Sequence, residues 1–545
     1  VRIARAKGLR RDAARAHAPR CRSLPASARQ ALGGRMTLAR CVMVLGTTSG
    51  AGKSLLTAAL CRWYANAGLR VAPFKAQNMS NNARVVRGLH DAPGEIGAAQ
   101  YFQALAAGVE PHVRMNPVLL KPEADTRSQV VVHGEIRRDL ADLPWRERSQ
   151  RLWPEAQSAL QALRAEHEVV VIEGAGSPAE INLAASDFVN TRTAVAAEAA
   201  CLLVTDIDRG GAFAHLYGTH ALMDERVRGL LRGFVLNKFR GDEALLAPGP
   251  QQLQALTGVP TLAVLPMLRD HGLPEEDGWY ARPQATAPGA KTIAVVAAPG
   301  ISNLDEFEPL RRLPGWQLVW ARSPQDAQQA DWLVLPGSKH TRADLQWLRE
   351  RGLDDAIVSH ARAGRPLLAI CGGLQWLGRT IADPQGSEGG TPGISDGLGL
   401  LPLHTELTAR KTLRRRALRF GPLKGCWRPL SGLAVQGYEI HLGRTHALRD
   451  ADAGDGAIAA ATPGDAAAHA QCSPIAEPDS SEPLGWQRDN LLAVYLHGLF
   501  ENPAVLQALF GVQPPSLADT FDRLARCLDE RFAPGALMQL LQAHR

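Results

Sequence analysis

The sequence predicts two α/β domains in tandem, each built on a parallel sheet. Three observations predict it. Apolar runs of four to six residues alternate with helical patterns from residue 41 onward. Runs that short and uninterrupted are what strands buried on both faces look like. Their alternation with helices implies βαβ units. The pattern pauses at residues 281–290, ARPQATAPGA, a Pro/Ala/Gly linker, and restarts beyond it.

The first 35 residues hold nine Arg and Lys7 against a single acid, Asp12. An Arg-rich, acid-poor composition fits a transit peptide. Met36, however, stands just ahead of the first apolar strand, as a genuine start would. The expectation is a disordered or spurious extension without function. This tail carries +9 of a net +7, so the rest of the chain carries −2. A near-neutral body removes the argument for a nucleic-acid partner. No stretch of 18 apolar residues occurs, which excludes a membrane-spanning helix. Eight scattered cysteines without a CxxC pair argue against a zinc ribbon and fit a reducing cytoplasm.

The first domain, residues 36–280, has apolar strands at 41–45, 169–172, 201–205 and 233–236. After the first comes Gly46-Thr47-Thr48-Ser49-Gly50-Ala51-Gly52-Lys53-Ser54. A helix follows, with Leu56, Ala59, Leu60 and Trp63 at helical spacing. A strand, a glycine loop and a helix make a P-loop for ATP. Backbone N–H groups along Thr48, Gly50 and Gly52 converge on phosphate oxygens. Lys53 reaches the β- and γ-phosphates and Ser54 ligates Mg²⁺. Strand 169–172 runs into Glu173, an acid at a strand's carboxyl end, where ligands of open sheets sit. That places Glu173 for Mg²⁺ or its water shell. Glu180 and Asp187 follow in the same region, where a substrate meets the γ-phosphate. Ser186 or Asp187 also suits a helix N-cap. A second acidic group, Asp206 and Asp208, follows strand 201–205. Asn237 ends strand 233–236, and an amide there can read adenine through paired donor and acceptor contacts.

The second domain, residues 291–545, has strands at 292–297, 332–335, 367–370 and 491–496. Strand 367–370 ends in Cys371-Gly372-Gly373. A thiol between strand and helix, flanked by glycines, is a nucleophile elbow. The helix N-terminus behind it favours the thiolate. The partner base comes from a distant strand end. His497, which closes strand 491–496, is the first candidate and His441 the second. Backbone N–H groups at Gly337 and Gly372 suit an oxyanion hole. Residues 450–484 are Ala/Gly/Asp/Pro/Ser-rich and read as a surface insertion.

The spacing Gly46-x5-Gly52-Lys53-Ser54 resembles dethiobiotin synthetase and the related partitioning ATPases. The latter carry a signature Lys five residues before the P-loop Lys. Thr48 stands there, which counts against a partitioning role. The second domain resembles class I glutamine amidotransferases. These place a Glu two residues after the His, but residue 499 is Leu, and Glu501 is the substitute within reach. A larger resemblance runs in order from about residue 40 to 505. The segments GTTSGAGKS, APFKAQNMSNN, GEIGAAQ, IEGAGSPAEINL, DIDRGGAFAHLYGT, PGISNLDEFEPL, ICGGLQWLG, GYEIHLGRT and YLHGLFEN resemble the cobyric acid synthase family. Gly50 stands where Asp is usual, and Leu374 where Tyr is usual. The resemblance implies a cytoplasmic enzyme using ATP, Mg²⁺ and L-glutamine. It would amidate the b, d, e and g carboxylates of adenosylcobyrinic acid a,c-diamide, giving adenosylcobyric acid. The a,c-diamide synthases run the same chemistry on two other carboxylates, but KAQNM and DIDRGG favour the first family. A P-loop switch ATPase with an inactive glutaminase-like module is the alternative from another class. The Cys371/His497 pair weighs against it.

Overall fold

The computed structural model describes residues 38–124, 127–269, 271–273, 289–388, 390–448, 473–476, 483–513 and 515–542. The extension expected at 1–35 lies outside them, as do most of the linker and most of the insertion.

Six strands form the first sheet. In order across it they are Thr261–Pro266, Leu231–Phe239, Ala200–Asp206, Arg40–Gly46, Val169–Glu173 and Val71–Phe74. All are parallel. Strand Arg40–Gly46 is central, and six of its seven residues are buried, so it needs its unbroken apolar run. Its neighbours end in Glu173 and Asp206. The topology therefore sets the glycine loop between two acid-tipped strands. The sequence reading passed over Val71–Phe74 and Thr261–Pro266. Val71–Phe74 contains Pro73, which argues against a strand except at a sheet edge. Both missed strands sit at the two edges.

The second sheet runs Trp316–Ala321, Lys291–Val296, Trp332–Leu335, Leu367–Ile370, Leu491–Val494, Pro483–Arg488 and Ser473–Ala476. Its first five strands are parallel and the last two antiparallel. A long antiparallel pair, Leu403–Arg419 with Ala434–Ala447, stands beside it. No continuous apolar run marks that pair, because it is largely half-buried and Leu403–Arg419 is Arg-rich.

One domain assignment needs correction. The last helices, Leu517–Arg531 and Ala536–Leu540, do not pack on the second sheet. Phe521, Leu524 and Leu528 share a core with Leu56, Leu60 and Tyr64 of the P-loop helix Lys53–Asn66. Tyr64 donates to the Leu537 carbonyl at 2.7 Å, and Arg62 pairs with Asp522 at 2.7 Å. The amphipathic face of a helix goes to whichever apolar surface is free. Here the P-loop helix, buried on most sides, supplies it. The chain thus crosses to the second domain and returns. Among the described residues no helix is long and apolar enough to cross a membrane.

Candidate active site

The phosphate loop is built tightly. Gly52 has φ +94°, and a Cβ there would stand 2.1 Å from Asn237 Nδ2, so glycine is required. Lys53 is buried, and its Nζ donates to the carbonyls of Thr48 (2.9 Å), Ser49 (3.2 Å) and Gly176 (3.3 Å). The Gly50 carbonyl accepts from Lys238 Nζ at 2.8 Å. Ser54 Oγ donates to Glu173 Oε1 at 2.9 Å. Glu173 is 1% exposed and also accepts from Lys75 Nζ (2.8 Å), Gln103 and Gln100. Burial opposes its charge, yet Lys75 beside it holds the carboxyl below the usual carboxylate range. The Ser54 hydroxyl and the Glu173 carboxylate are hard oxygen donors of the kind Mg²⁺ takes. Both Glu173 oxygens already receive donors. The carboxylate therefore suits the ion's water shell and Ser54 the ion itself.

The elbow lies in the second sheet. Cys371 has φ +52° and ψ −106°, outside the ordinary basins, as strained nucleophile turns are. A Cβ on Gly372 would meet Ser338 N at 2.7 Å, and one on Gly373 would meet Leu335 O at 2.3 Å. Both glycines are needed because the elbow presses on the loop after Trp332–Leu335. Cys371 precedes the helix Gly372–Leu377, and its Sγ lies 3.7 Å from the Ile440 carbonyl. His497 is fully buried. Its Nδ1 lies 2.9 Å from Glu306 Oε1, while the Gly498 N–H donates to Glu306 Oε2 at 2.9 Å. That leaves Nε2 for the thiol. Burial opposes a charge on His497, but Glu306 and then the Cys371 sulfur raise its pKa to about 10. Gly337 packs on the imidazole, since a Cβ there would stand 2.7 Å from His497 Cε1. Cys371, Ser338 and Gln375 line one cleft together with Asn81, Lys121 and Glu123 of the first domain.

Two family models divide this chain as the two sheets do. The CobQ/CobB/MinD/ParA nucleotide binding domain matches residues 42–277, and the CobB/CobQ-like glutamine amidotransferase domain matches 292–505. The "Cobyric acid synthase" of Leptothrix cholodnii is 61% identical over 92% of this chain and 97% of its own. That of Variovorax paradoxus is 60% identical over 92% of this chain and 99% of its own. The chain belongs to the cobyric acid synthase family. It is a glutamine-hydrolysing amidoligase of cobalamin biosynthesis, with a P-loop nucleotide-binding domain ahead of the amidotransferase domain.

The sequence reading of this cobyric acid synthase fold missed Glu306, the acid behind His497. It looked two residues after the histidine, at Leu499, and then to Glu501. Glu306 lies in PGISNLDEFEPL, about 190 residues earlier, and only the fold brings it to His497. Glu501 instead pairs with Arg84 at 2.5 Å. His441 is not the base. Its Nδ1 faces the Gly443 carbonyl (2.8 Å) and its Nε2 faces Glu439 (3.1 Å), so neither nitrogen is left for the thiol. Lys75, Gln100 and Gln103 were also missed. Only the KAQNM and GEIGAAQ segments hinted at Lys75 and Gln100, and nothing pointed to Gln103.

Two residues expected near the ligand are held by the protein's own backbone. The Asn237 amide is engaged by the phosphate loop and by its own neighbour. Its Nδ2 donates to the Ala51 carbonyl (2.9 Å), its Oδ1 accepts from Lys238 N (2.9 Å), and it is 4% exposed. It braces the phosphate loop. Asp187 is the cap of the turn Phe188–Arg192, accepting from Asn190 N at 2.9 Å. Asn190 in turn clamps Ala175 through both its amide atoms, at 3.0 and 2.8 Å. Asp187 thus supports the loop after Glu173, and burial pushes its carboxyl up. Glu180 is exposed, between the exposed Ile181 and the loop Gly174–Ala179. Asp206 pairs with Lys238 at 3.2 Å and Arg209 at 3.4 Å.

Proposed function

We propose that this enzyme amidates the b, d, e and g carboxylates of adenosylcobyrinic acid a,c-diamide, using ATP and ammonia drawn from L-glutamine. One observation carries the reading. Cys371, with His497 and Glu306 behind it, opens into a cleft walled in part by the P-loop domain. A carboxylate resists ammonia at neutral pH because its oxygen is a poor leaving group. Transfer of the γ-phosphoryl group turns it into an acyl phosphate, from which phosphate leaves readily. Lys53 stabilises the charge on the transferring group, and backbone N–H groups of the loop hold the other phosphates. Ser54 would hold Mg²⁺ and Glu173 its water shell; the ion supplies charge neutralisation on the β- and γ-phosphates. Glu180, exposed after the loop that follows Glu173, is available to meet the acceptor.

In the second domain, Cys371 attacks the glutamine amide carbon and ammonia departs, leaving a thioester that water hydrolyses to glutamate. His497 takes the thiol proton and gives it to the departing nitrogen. Glu306 fixes the tautomer in which Nδ1 carries a proton. The N–H groups near Gly337 and Gly372 face the developing oxyanion. Cys371→Ala tests the division of labour. It abolishes glutamine-supported amidation and leaves ammonium-supported amidation intact. Persistent glutamine use by this variant contradicts the assignment of the nucleophile.

A further inference from the structure

Arg84 belongs to the nucleotide domain, on strand Ala83–Arg87 of a hairpin closed by Pro93–Gly97. It is 1% exposed. Its guanidinium does not face the phosphate loop. Nε donates to Asp305 Oδ2 at 2.6 Å, Nη2 contacts the same oxygen, and Nη2 lies 2.5 Å from Glu501 Oε1. Asp305 immediately precedes Glu306. Glu501 ends the turn Leu499–Glu501, which follows His497-Gly498. The guanidinium carbon also lies 5.1 Å from the centre of the Tyr438 ring, and that ring stacks on His497 at 5.3 Å and 17°. One side chain from the first domain thus meets the acid loop, the base loop and the ring against the base.

Neighbouring contacts repeat the connection. Asn303 Nδ2 donates to the Ala83 carbonyl (2.6 Å) and to Tyr438 Oη (2.8 Å). The Leu304 N–H donates to Asn82 Oδ1 at 3.0 Å. Upstream on the same stretch of chain, Lys75 pairs with Glu173 beside Ser54. The segment from Lys75 to Arg84 therefore runs without a break from the phosphate site to the triad.

We propose that Arg84 is a positioning residue for the glutaminase triad, holding the loops of Glu306 and His497 in register only while the hairpin of the nucleotide domain is docked. The proposal rests on the glutaminase reading of Cys371 and His497. It makes ammonia release conditional on the state of the nucleotide domain, through named contacts. A planar fork is what the geometry demands, because two carboxylates on separate loops must be held at once. Lysine carries the charge but not the fork. Without any cation, the buried Asp305 and the half-buried Glu501 are left without their partner, which the loops relieve by moving or by taking up protons. Burial already pushes the Glu501 carboxyl up.

The test compares Arg84→Lys and Arg84→Met with the full-length enzyme. The readouts are glutamine-supported and ammonium-supported kcat, each KM, and the pH profile of glutamine hydrolysis. A displacement of about 1 Å at a reacting group costs on the order of 10²-fold. The ratio of glutamine- to ammonium-supported kcat is therefore expected to fall at least about tenfold in both variants, with KM for ammonium unchanged. The alkaline limb of glutamine hydrolysis moves to lower pH as His497 loses its fixed partner. If Arg84→Met does not fold, Arg84→Lys alone decides, since it keeps the buried charge. A ratio within about twofold of the unsubstituted enzyme in Arg84→Lys overturns the proposal, as does a parallel fall of both activities. Cys371→Ala run alongside separates the two readings. Glutamine use surviving there refutes the glutaminase assignment, whereas its loss with an unchanged Arg84→Lys ratio refutes only the role of Arg84.

Discussion

Replacing Glu306 by Gln removes one negative charge and one acceptor from the buried pair that holds His497. The side chain is fully buried, and its two oxygens accept from His497 Nδ1 and Gly498 N, each at 2.9 Å. An amide of the same shape offers one acceptor and one donor group to two donors. Either the Gly498 N–H loses its partner or the imidazole turns to the other tautomer. A buried donor left unsatisfied costs about 1–3 kcal/mol. The kinetic cost is larger, because without the Glu306 charge the imidazole holds the thiol proton at Nε2 less well and the thiolate is lost. In a Ser–His–Asp triad, the same amide replacement lowers kcat by about 10⁴. Stability acquires a pH signature. With its pKa raised from 6.5 to about 10, His497 stabilises the native enzyme fully below 6.5, and this contribution is lost as pH rises through about 10. Glu306→Gln removes the largest favourable cause of it. The gap in Tm between the two proteins is therefore widest near pH 6 and narrows toward pH 10. Glutamate release, ammonium-supported amidation and thermal melts at several pH values measure all three effects. Near-normal glutamine hydrolysis, or a Tm gap that ignores pH, would refute the reasoning.

Lys53→Ala removes the cation nearest the transferring phosphoryl group. It should lower amidation from either nitrogen source by about 10² or more, and near-normal ammonium-supported turnover would contradict this. Gly372→Ala drives a methyl group to within 2.7 Å of Ser338 N. Its glutamine-supported activity is expected to collapse while ammonium-supported activity persists, and equal loss of both would place the damage elsewhere. Asp187→Ala removes a cap and should lower stability by about 1 kcal/mol without changing the mixture of partly amidated products. A shifted mixture with an unchanged melt, read by mass spectrometry and calorimetry, would return Asp187 to the substrate site.

The features carried by contiguous residues were legible in the sequence. An apolar run followed by glycines and Lys53-Ser54 fixes a local conformation, and so does the run that ends at Cys371. Glu173 and His497 were legible for a related reason, since Glu173 ends a strand, His497 follows Leu491–Val494 by three residues, and the carboxyl edge of a parallel sheet is where sites form. What the sequence could not give were pairings made by topology alone. Glu306 reaches His497 from a 3-10 segment, Leu304–Arg312, that carries no strand-end signal. Lys75 reaches Glu173 from just past the end of an edge strand disguised by Pro73. Asn237 and Asp187 were left open because a polar side chain at a strand end or loop serves a ligand or the backbone equally well. Only its partners decide. The final helices were assigned to the second domain because sequence order was the only guide, and the free face of the P-loop helix overrode it.

The central claim is that glutamine nitrogen released at Cys371 becomes amide nitrogen on the corrinoid activated at the P-loop. Glutamine isotopically labelled at its amide nitrogen, supplied with ATP, Mg²⁺ and adenosylcobyrinic acid a,c-diamide, tests this directly by mass spectrometry of the corrinoid. The account predicts a final product with four new amides, all carrying the label, and none formed when ATP is withheld. A corrinoid returned unchanged while labelled ammonia accumulates in solution would contradict it.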